Sequence, residues 1–251
     1  MGKLEGKTAI VTGAGQGVGR AIAAAYAGEG ARVVLATRTV SKAEDAAARI
    51  RAAGGDAAAI ACDVAVKEDV ARVVAFTVER YGTVDILVNN AQVFKNHTSV
   101  LDHSDEDVYR VFNSGYMGTW RFMRECFSYM KDRGGKIVNM ASAAGVKGLA
   151  TFAAYASTKE AIRALSRVAA REWGEYGINV NIICPLASSE GLAESTPQEG
   201  LDAIAAQLPV RRLGQAEDIA PIAVFLASRD SDYLTGYTFF ADGGSSIDAG
   251  R

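Results

Sequence analysis

A tyrosine and a lysine stand four residues apart in the alanine-rich stretch Ala153–Ile162. A helix over 153–173, which the pattern predicts, places both side chains on one face. A tyrosine keeps its proton to about pH 10, but a neighbouring ammonium group favours the phenolate. We therefore expect Lys159 to lower the pKa of Tyr155, so that the phenol exchanges a proton with a substrate oxygen near neutral pH. From these two residues alone, an ordinary surface pair remains the alternative.

The composition predicts one globular domain over residues 1–251. The chain is 49% hydrophobic and 22% charged with a net charge of -2, and it is long enough for one sizeable core. The near-neutral balance does not favour a nucleic-acid partner, and no stretch approaches the ~20 apolar residues of a membrane span. Three widely spaced cysteines and no ligand-spaced cluster predict no disulfide framework, no metal site and a reducing, cytoplasmic location.

A glycine-rich turn near the N-terminus follows an apolar run at 8–11 and precedes a helical pattern at 20–29. Its spacing is TGxxxGxG, from Thr12 to Gly19. Glycines in such a turn let the backbone approach a pyrophosphate at the positive end of the helix, so the context predicts a dinucleotide site. The predicted contacts are Gly13, Gln16, Gly17, Val18 and Gly19.

The second apolar strand, at 31–36, runs into Thr37 and Arg38. The end of this strand is expected to meet the adenosine ribose. A hydroxyl and a guanidinium suit a 2′-phosphate, so we predict NADP rather than NAD. The alternative is that Arg38 is only a solvated charge, and Gln16 adds no second positive charge from the turn.

Further strand ends carry polar or small residues: Asp63-Val64 after the third strand, Asn90-Ala91-Gln92 after the fourth, and Ser142 after the fifth. Asp63 is expected either to bind the adenine amino group or to begin the next turn. In the helical stretch 105–133, Asn113 and the glycine at 115 disfavour regular helix, which predicts a kink or an inward side chain. Alternating strands and helices predict an α/β doubly wound, Rossmann-like parallel sheet of about seven strands, with helices on both faces.

Taken in order, these motifs resemble the short-chain dehydrogenase/reductase family of about 250 residues, over nearly the whole chain. The matching residues are TGAGQGVG at 12–19, Asp63-Val64, NNAQ at 89–92, Asn113, Ser142, Tyr155-xxx-Lys159 and Asp242-Gly243-Gly244. The resemblance implies a catalytic tetrad of Asn113, Ser142, Tyr155 and Lys159. Ser142 stands at the family's usual distance before Tyr155.

The resemblance also implies a role for each group. Tyr155 is expected to be the acid in reduction and the base in oxidation, with Ser142 holding the substrate oxygen. Lys159 is expected to hold the nicotinamide ribose as well as to lower the Tyr155 pKa. Asn113 is expected to position a water that passes protons from Lys159 to solvent. The implied cofactor contacts beyond the glycine turn are Thr37, Arg38, Asp63, Val64, Asn90, Ala91, Tyr155, Lys159, Pro185 and Ser188.

Two departures from the family pattern concern the nicotinamide end. Gln92 stands where the family motif NNAG has glycine, which predicts a narrower pocket or an added hydrogen bond. Leu186 follows Pro185 where glycine is usual, and Glu190 replaces the threonine that helps hold the carboxamide, for which Ser188 or Ser189 could substitute.

The predicted activity is NADP-dependent interconversion of a hydrophobic ketone or aldehyde and its alcohol. Ser142 is one predicted substrate contact, and the mostly apolar pocket candidates are Gln92, Val93, Phe94, Ala143, Ala144, Phe152, Leu186 and Leu192. The alternatives are an NAD-dependent alcohol dehydrogenase, a non-catalytic dinucleotide-sensing protein, and a dehydratase or epimerase on the same fold. The polar excursion at 187–209 is expected to be a substrate lid. The resemblance further implies a homotetramer, with the helices at 105–133 and 153–173 as the outer pair.

Overall fold

A seven-stranded parallel sheet forms the centre of the protein, and its strand order is β3-β2-β1-β4-β5-β6-β7. The structure, a computed structural model, describes residues 2–94, 98–188 and 196–247. The strands are β1 (Thr8–Thr12), β2 (Arg32–Thr37), β3 (Asp56–Ala61), β4 (Ile86–Asn89), β5 (Gly135–Met140), β6 (Ile178–Pro185) and β7 (Thr238–Ala241). From β1 the chain adds β2 and β3 on one side of the sheet, and then adds β4 to β7 on the other side. In such sheets a ligand crevice lies where the direction changes, here between the carboxyl ends of β1 and β4. The predicted doubly wound fold is confirmed.

Helices cover both faces of this sheet. They are α1 (Gly17–Gly28), α2 (Val40–Ala52), α3 (Lys67–Tyr81), α4 (Asp105–Phe112), α5 (Gly118–Met130), α6 (Ala143–Lys147), α7 (Ala153–Trp173), α8 (Gln198–Gln207) and α9 (Ala216–Ala227). One buried apolar cluster joins the sheet to α1, α2 and α9, and a second joins it to α3, α5 and α7. Because both faces are covered, the central strands read as continuous apolar runs.

The helical stretch predicted at 105–133 is divided by a π-helical turn, Asn113–Met117, which joins α4 to α5. On its outer side, the rings of Phe112 and Tyr116 stack with centroids 4.8 Å apart, and Trp120 follows at 6.2 Å. On its inner side, Ser114 and Gly115 are buried. The expected irregularity is therefore a widened turn, a feature that often marks functional sites.

A buried polar chain anchors α7 to the middle of the sheet. Asn89 Nδ2 donates to Asn139 Oδ1 at 2.9 Å, and Asn139 Nδ2 donates to Ser166 Oγ at 2.8 Å. Such buried hydrogen bonds specify one arrangement of the packed elements because an unpaired alternative is costly. They fix the register of α7, and hence of Tyr155 and Lys159, against β4 and β5. No helix within the described ranges combines the length and the apolar character needed to cross a membrane.

Candidate active site

The carboxyl ends of β1 and β4 are tied together by Thr12 and Asn90. Thr12 Oγ1 accepts hydrogen bonds from the backbone N–H groups of Asn90 at 2.9 Å and Ala91 at 3.0 Å. In return, Asn90 Nδ2 donates to the carbonyl oxygens of Thr12 at 2.9 Å and Gly13 at 3.3 Å. The structure thus brings the predicted residues Gly13, Asn90 and Ala91 together at the crevice, with the turn held from β4.

The glycine turn has the shape of a cradle for a dinucleotide pyrophosphate. Gly13 and Gly17 have φ values of +66° and +52°, a region that L side chains rarely adopt. A Cβ atom at Gly19 would lie 2.5 Å from the Gly13 carbonyl oxygen and 2.6 Å from Asn90 Nδ2. Gln16 precedes α1 without capping it, and the first turn of α1 carries no acidic residue. The free N–H groups and positive end of the helix therefore suit an anion, so these residues fit the implied cofactor.

Three polar side chains surround the place expected for the adenosine ribose. Thr37 ends β2, and the exposed Arg38 guanidinium makes no ion pair or hydrogen bond with the residues that the structure describes. Lys42, on α2, donates from Nζ to Gln16 Oε1 at 2.6 Å. Sequence reasoning missed Lys42, because only the fold brings α2 against the glycine turn. Gln16 carries no charge itself but holds a lysine beside the turn.

Asp63 and Val64 lie between β3 and α3, where the adenine contact was predicted. Asp63 Oδ1 accepts a hydrogen bond from the backbone N–H of Ala65 at 2.9 Å, which opens the turn towards α3. Val64 is buried against Gly118 of α5. Of the two expected roles for Asp63, the turn is visible directly, and the adenine contact stays a prediction.

Ser142, Tyr155 and Lys159 converge beyond the ends of β5 and β6. Ser142 ends the segment after β5, and its hydroxyl oxygen caps α6 by accepting from Ala144 N at 3.2 Å. The Ser142 hydroxyl lies near enough to the Tyr155 phenol to lower its pKa. Lys159 Nζ lies 5.4 Å from the centroid of the Tyr155 ring and donates to the carbonyl oxygen of Met140 at 2.8 Å. Three of the four predicted catalytic side chains therefore share one site.

Burial sets the protonation of this site in the free protein. It raises the pKa of Tyr155 to about 12, against a lowering effect of the neighbouring Ser142 hydroxyl, and it lowers the pKa of Lys159 to about 8. Lys159 has then lost its proton before Tyr155 ionises, so its charge is absent when it would help the phenolate. The expectation that Lys159 alone brings the Tyr155 pKa towards neutrality is therefore wrong for the free protein, because desolvation outweighs the pair.

Two aromatic rings enclose the Tyr155 phenol. The rings of Phe94 and Tyr155 meet edge to face with centroids 4.9 Å apart, and Phe152 lies 6.3 Å from Tyr155. Thr98 pairs with Phe152 as an isolated bridge, which joins the segment after β4 to the start of α7. The predicted substrate contacts Phe94 and Phe152 are thus beside the reactive phenol, on an apolar side of the site.

The side chain of Asn113, the fourth predicted catalytic residue, makes its hydrogen bonds with Ala65 and Arg121 and not with the other three. Its Nδ2 donates to the carbonyl oxygen of Ala65 at 3.4 Å, and its Oδ1 accepts from Arg121 Nη1 at 3.0 Å. Arg121 Nη1 also donates to the Ala65 carbonyl at 2.8 Å. The carboxamide therefore ties the π-helical turn to the β3–α3 connection. The described structure contains no hydrogen bond between Asn113 and Lys159, and the water-positioning role of Asn113 stays a prediction.

Gln92 is the second carboxamide that follows β4, and it points towards the π-helical turn. Its Nε2 and Oε1 are both buried, and neither has a hydrogen-bond partner among the residues that the structure describes. The next residue is tethered, because Val93 N donates to Ser114 Oγ at 3.1 Å. The predicted substrate contact Gln92 thus lies between the end of β4 and the helices that carry the site.

The segment from Pro185 to Ser188 closes the far side of the site. Leu186 N donates to the Ala241 carbonyl at 2.9 Å, and Ser188 N donates to the Gly214 carbonyl at 2.8 Å. The backbone after β6 is thereby held to the segments at 214 and 241. Within the predicted lid at 187–209, the structure shows α8 and the ends of the segment. Ser189, Glu190 and Leu192, to which sequence analysis gave roles, lie outside the described residues, as do all of 189–195.

The chain resembles known proteins over nearly its whole length. The family described as enoyl-(acyl carrier protein) reductase matches residues 13–246. Sorbitol dehydrogenase from Cereibacter sphaeroides is 38% identical over 97% of this chain and 98% of its own length. The 12alpha-hydroxysteroid dehydrogenase of a Clostridium species is 40% identical with the same two coverages of 97% and 98%. The crystal structure of levodione reductase superimposes with a TM-score of 0.93 at 27% identity, covering 98% of this chain and 99% of that one. With its glycine turn, its convergent serine, tyrosine and lysine, and these matches, the chain belongs to the short-chain dehydrogenase/reductase family, whose oxidoreductases act on alcohols and carbonyl compounds.

Proposed function

We propose that this protein is an NADP-dependent oxidoreductase that interconverts a hydrophobic ketone or aldehyde and its alcohol, with Tyr155 as the acid and base. The observation that carries the proposal is the convergence of Ser142, Tyr155 and Lys159 beneath the rings of Phe94 and Phe152. A phenol, a hydroxyl and an ammonium group at one apolar site are what proton transfer to a carbonyl oxygen requires.

Each residue has a separate task in this proposal. Tyr155 donates its proton to the substrate oxygen in reduction, and Ser142 donates a hydrogen bond to the same oxygen as negative charge develops there. Lys159 holds the nicotinamide ribose and restores the proton of Tyr155. The dinucleotide, when bound, supplies or accepts the hydride.

The pKa values suit the two directions differently. A pKa of about 12 keeps the Tyr155 phenol protonated at neutral pH, which is the form that reduction needs. Oxidation needs the phenolate, and two positive charges favour it: the oxidised nicotinamide ring, and the Lys159 ammonium below its pKa of about 8. In the free protein, Lys159 alone does not bring the Tyr155 pKa towards neutrality. The positive charge of a bound oxidised nicotinamide would lower that pKa.

NADP is preferred because the ribose end of the crevice is positively charged. Arg38 has a guanidinium free of described partners, and Lys42 is held next to the turn by Gln16 at 2.6 Å. Thr37 adds a hydroxyl donor at the end of β2. A 2′-phosphate would gain charge-assisted hydrogen bonds from these groups. An NAD-dependent alcohol dehydrogenase is the alternative if Arg38 and Lys42 are only solvated charges.

The test is a fluorescence titration of the purified protein with NADPH and NADH, beside Arg38→Ala. We expect NADPH to bind more tightly, and Arg38→Ala to weaken NADPH by about 10- to 100-fold, the value of a charge-assisted hydrogen bond, without affecting NADH. Arg49→Ala, at the exposed far end of α2, is the matched control and leaves both affinities unchanged. Equal or tighter binding of NADH contradicts the NADP assignment.

A substrate panel follows with the tighter cofactor. It contains hydrophobic ketones and aldehydes, together with the compounds that the names of the relatives give: sorbitol, a 12alpha-hydroxysteroid and levodione. Turnover of any member excludes a purely dinucleotide-sensing role, and product without net cofactor oxidation points to a dehydratase or epimerase. A homotetramer and a cytoplasmic location complete the proposal, and a monomer by light scattering at micromolar concentration contradicts the former.

A further inference from the structure

Thr151 has a backbone conformation that threonine rarely adopts. Its φ is +68°, and among the non-glycine residues that the structure describes only Arg211 shares a positive φ. A β-branched residue in the left-handed region is a strained outlier, and such strain persists only where the surrounding structure imposes it. Because Thr151 is exposed, burial of its own side chain does not compensate for the strain. The reason for the strain therefore lies in what the backbone on either side of Thr151 holds in place.

Hydrogen bonds fix the backbone around Thr151. Leu149 N donates to the Ala144 carbonyl of α6 at 3.1 Å, and Phe152 N donates to the Leu149 carbonyl at 3.3 Å. Thr98 N donates to the Thr151 carbonyl at 3.3 Å, and Thr98 and Phe152 form a bridge. The turn between α6 and α7 is thus fastened to the segment that follows β4.

The strained turn leads directly into Phe152, beside the catalytic phenol. Phe152 precedes the first turn of α7, and its carbonyl accepts a hydrogen bond from Ala156 N at 2.7 Å. Its ring centroid lies 6.3 Å from that of Tyr155 and 6.1 Å from that of Phe94, and the centroids of Phe94 and Tyr155 are 4.9 Å apart. At these separations each ring contacts the other two. Phe94, Phe152 and Tyr155 therefore form one aromatic cluster.

The aromatic cluster favours one kind of substrate surface over another. Phenyl rings offer flat apolar faces and edges, which suit a ring through offset or edge-to-face contacts. They offer no strong hydrogen-bond partner, so each hydroxyl of a polyhydroxylated chain that is buried against them loses its hydration without replacement. Phe94 itself packs edge to face with Tyr155, so a ring is the kind of surface that fits beside the phenol.

We propose that the aromatic cluster selects a ketone or secondary alcohol carried on an apolar ring over one carried on an open polyhydroxylated chain, and that Thr151 is the positioning residue that holds Phe152 in the cluster. The left-handed conformation of Thr151 turns the chain directly before Phe152 while the Thr151 carbonyl binds Thr98. This inference rests on the proposed function, because it names the substrate class of the same site.

The first test measures kcat and KM for cyclohexanol, 2-hexanol and sorbitol, which have equal numbers of carbon atoms, with the tighter-binding oxidised dinucleotide. We expect kcat/KM to fall in that order. Cyclohexanol should exceed sorbitol by about 10-fold or more, because a single buried hydroxyl without a partner corresponds to about that factor. Equal values for cyclohexanol and 2-hexanol, or a preference for sorbitol, overturn the ring selection.

The second test alters the turn and the ring separately. Phe152→Leu removes one ring of the cluster, whereas Thr151→Gly removes the strain and leaves the turn free to move, since glycine adopts a positive φ readily. We expect each variant to raise the KM for cyclohexanol by about 2- to 10-fold, the value of one aromatic contact, with little change in kcat or in the sorbitol reaction. Ala150→Gly, in the same exposed turn, adds flexibility without removing the strain, and this matched control should keep the wild-type values.

Combining Thr151→Gly with Phe152→Leu distinguishes positioning from a general structural role. If Thr151 acts through Phe152, the double variant has the cyclohexanol KM of Phe152→Leu alone, because the effects of coupled residues do not add. Additive effects, or a Thr151→Gly variant that raises the KM of all three alcohols alike, overturn the positioning role.

Binding measured without turnover separates this inference from the proposed function. Tyr155→Phe keeps the third ring of the cluster but has no phenol, and saturation-transfer NMR on this variant with the same dinucleotide should show tighter binding of cyclohexanol than of sorbitol. That result, with no turnover by the wild type, removes the proposed activity and supports the ring selection. Turnover with sorbitol preferred supports the oxidoreductase chemistry and overturns the ring selection, as does an absence of cyclohexanol binding.

Discussion

Asn90 and Gln92 stand two residues apart after β4, but their carboxamides belong to two regions with opposite character. Asn90 Nδ2 is bound to the carbonyl oxygens of Thr12 and Gly13, and its own N–H is bound by Thr12. The amide nitrogen and oxygen of Gln92 have no hydrogen-bond partner in the described part of the chain. In the nucleotide region, Thr12–Gly19 with Asn90, the Asn90 carboxamide is hydrogen-bonded within the fold, and the free N–H groups are those at the start of α1. The proton-transfer region, Gln92 with Gly115, Ser142, Tyr155 and Lys159, contains an unpaired amide and a buried ammonium group.

The two regions differ because one must hold a fixed backbone shape and the other must let side chains change their charge. A cradle for a phosphate works as a rigid backbone shape, so hydrogen bonds that stabilise the fold also preorganise it for binding. Proton transfer needs groups whose charge changes during the reaction, and such sites often hold residues with shifted pKa values, as Tyr155 and Lys159 have here. We therefore expect substitutions in the nucleotide region to reduce stability and binding together, whereas some substitutions in the proton-transfer region increase stability while they remove activity.

The largest effect is expected for Gly19→Ala, which breaks the nucleotide region. The new methyl group would lie 2.5 Å from the Gly13 carbonyl and 2.6 Å from Asn90 Nδ2. Overpacking of this kind costs about 1–3 kcal/mol or more, and it displaces the cradle. Thermal unfolding and NADPH titration should show a lower midpoint and a weaker affinity together.

Gly28→Ala provides the control at the other end of the same helix. A Cβ atom there meets nothing within 4 Å, and alanine is the better helix former by up to about 1 kcal/mol. An unchanged or slightly raised midpoint is expected. If Gly19→Ala behaves like Gly28→Ala, the close approach of α1 to the glycine turn is not what holds the cradle.

The next effect is a gain, from Lys159→Met in the proton-transfer region. Burial lowers the pKa of Lys159 from 10.5 to about 8, so below pH 8 the folded protein bears the cost of a buried charge that the unfolded chain does not. Between about pH 8 and pH 10.5, Lys159 is protonated in the unfolded chain but not in the folded protein. The free energy of unfolding of the wild type therefore increases as pH rises through this range. Methionine removes this cost, so the variant should be more stable by about 1–2 kcal/mol at pH 7.

The measurement is the free energy of unfolding in urea at several pH values. The advantage of Lys159→Met should shrink from pH 8 upwards and vanish above about 10.5, while turnover is lost at every pH. Lys131→Met, at an exposed lysine, is the matched control for the loss of one lysine and should keep wild-type turnover. A destabilised Lys159→Met at pH 7 would mean that the hydrogen bond to Met140 outweighs the burial of the charge.

The smallest effect is expected for Ser114→Ala, which loosens the link between Gln92 and the π-helical turn. It leaves Val93 N without the acceptor that now lies at 3.1 Å, at a cost of about 1 kcal/mol. Ser128→Ala is the matched control, because that exposed hydroxyl makes one long bond of 3.4 Å to its own helix. Denaturant midpoints of the two variants measure the difference, and equal midpoints contradict a structural role for the tether.

The nucleotide region was the more predictable of the two from sequence. Its function resides in backbone shape, and glycine spacing between a strand and a helix reports backbone shape directly. The parallel sheet followed from the same strand and helix alternation, because buried parallel strands are continuous apolar runs. Even here Lys42 was missed, since its position beside Gln16 depends on how α2 packs on the turn.

The proton-transfer region was predictable in its residue types but not in its contacts. The four-residue spacing placed Tyr155 and Lys159 on one face of α7, and the helix bounds 153–173 agree with the structure. The direction in which Asn113 points depends on the phase of the π-helical turn, which a propensity argument shows only as an irregularity. The raised Tyr155 pKa was likewise missed, because burial is a property of the packed site.

The π-helical turn also sets the rotational phase between α4 and α5. A regular α-helix advances about 100° per residue, so one residue more or less at Asn113–Met117 turns everything before it by about that angle relative to everything after it. The outer ladder of Phe112, Tyr116 and Trp120 stacks across the turn and keeps this phase. The turn therefore sets the direction in which Ser114 and Gly115 face, which is towards the segment after β4. A single deletion in the turn would make these residues face a different neighbour while both helices stay intact.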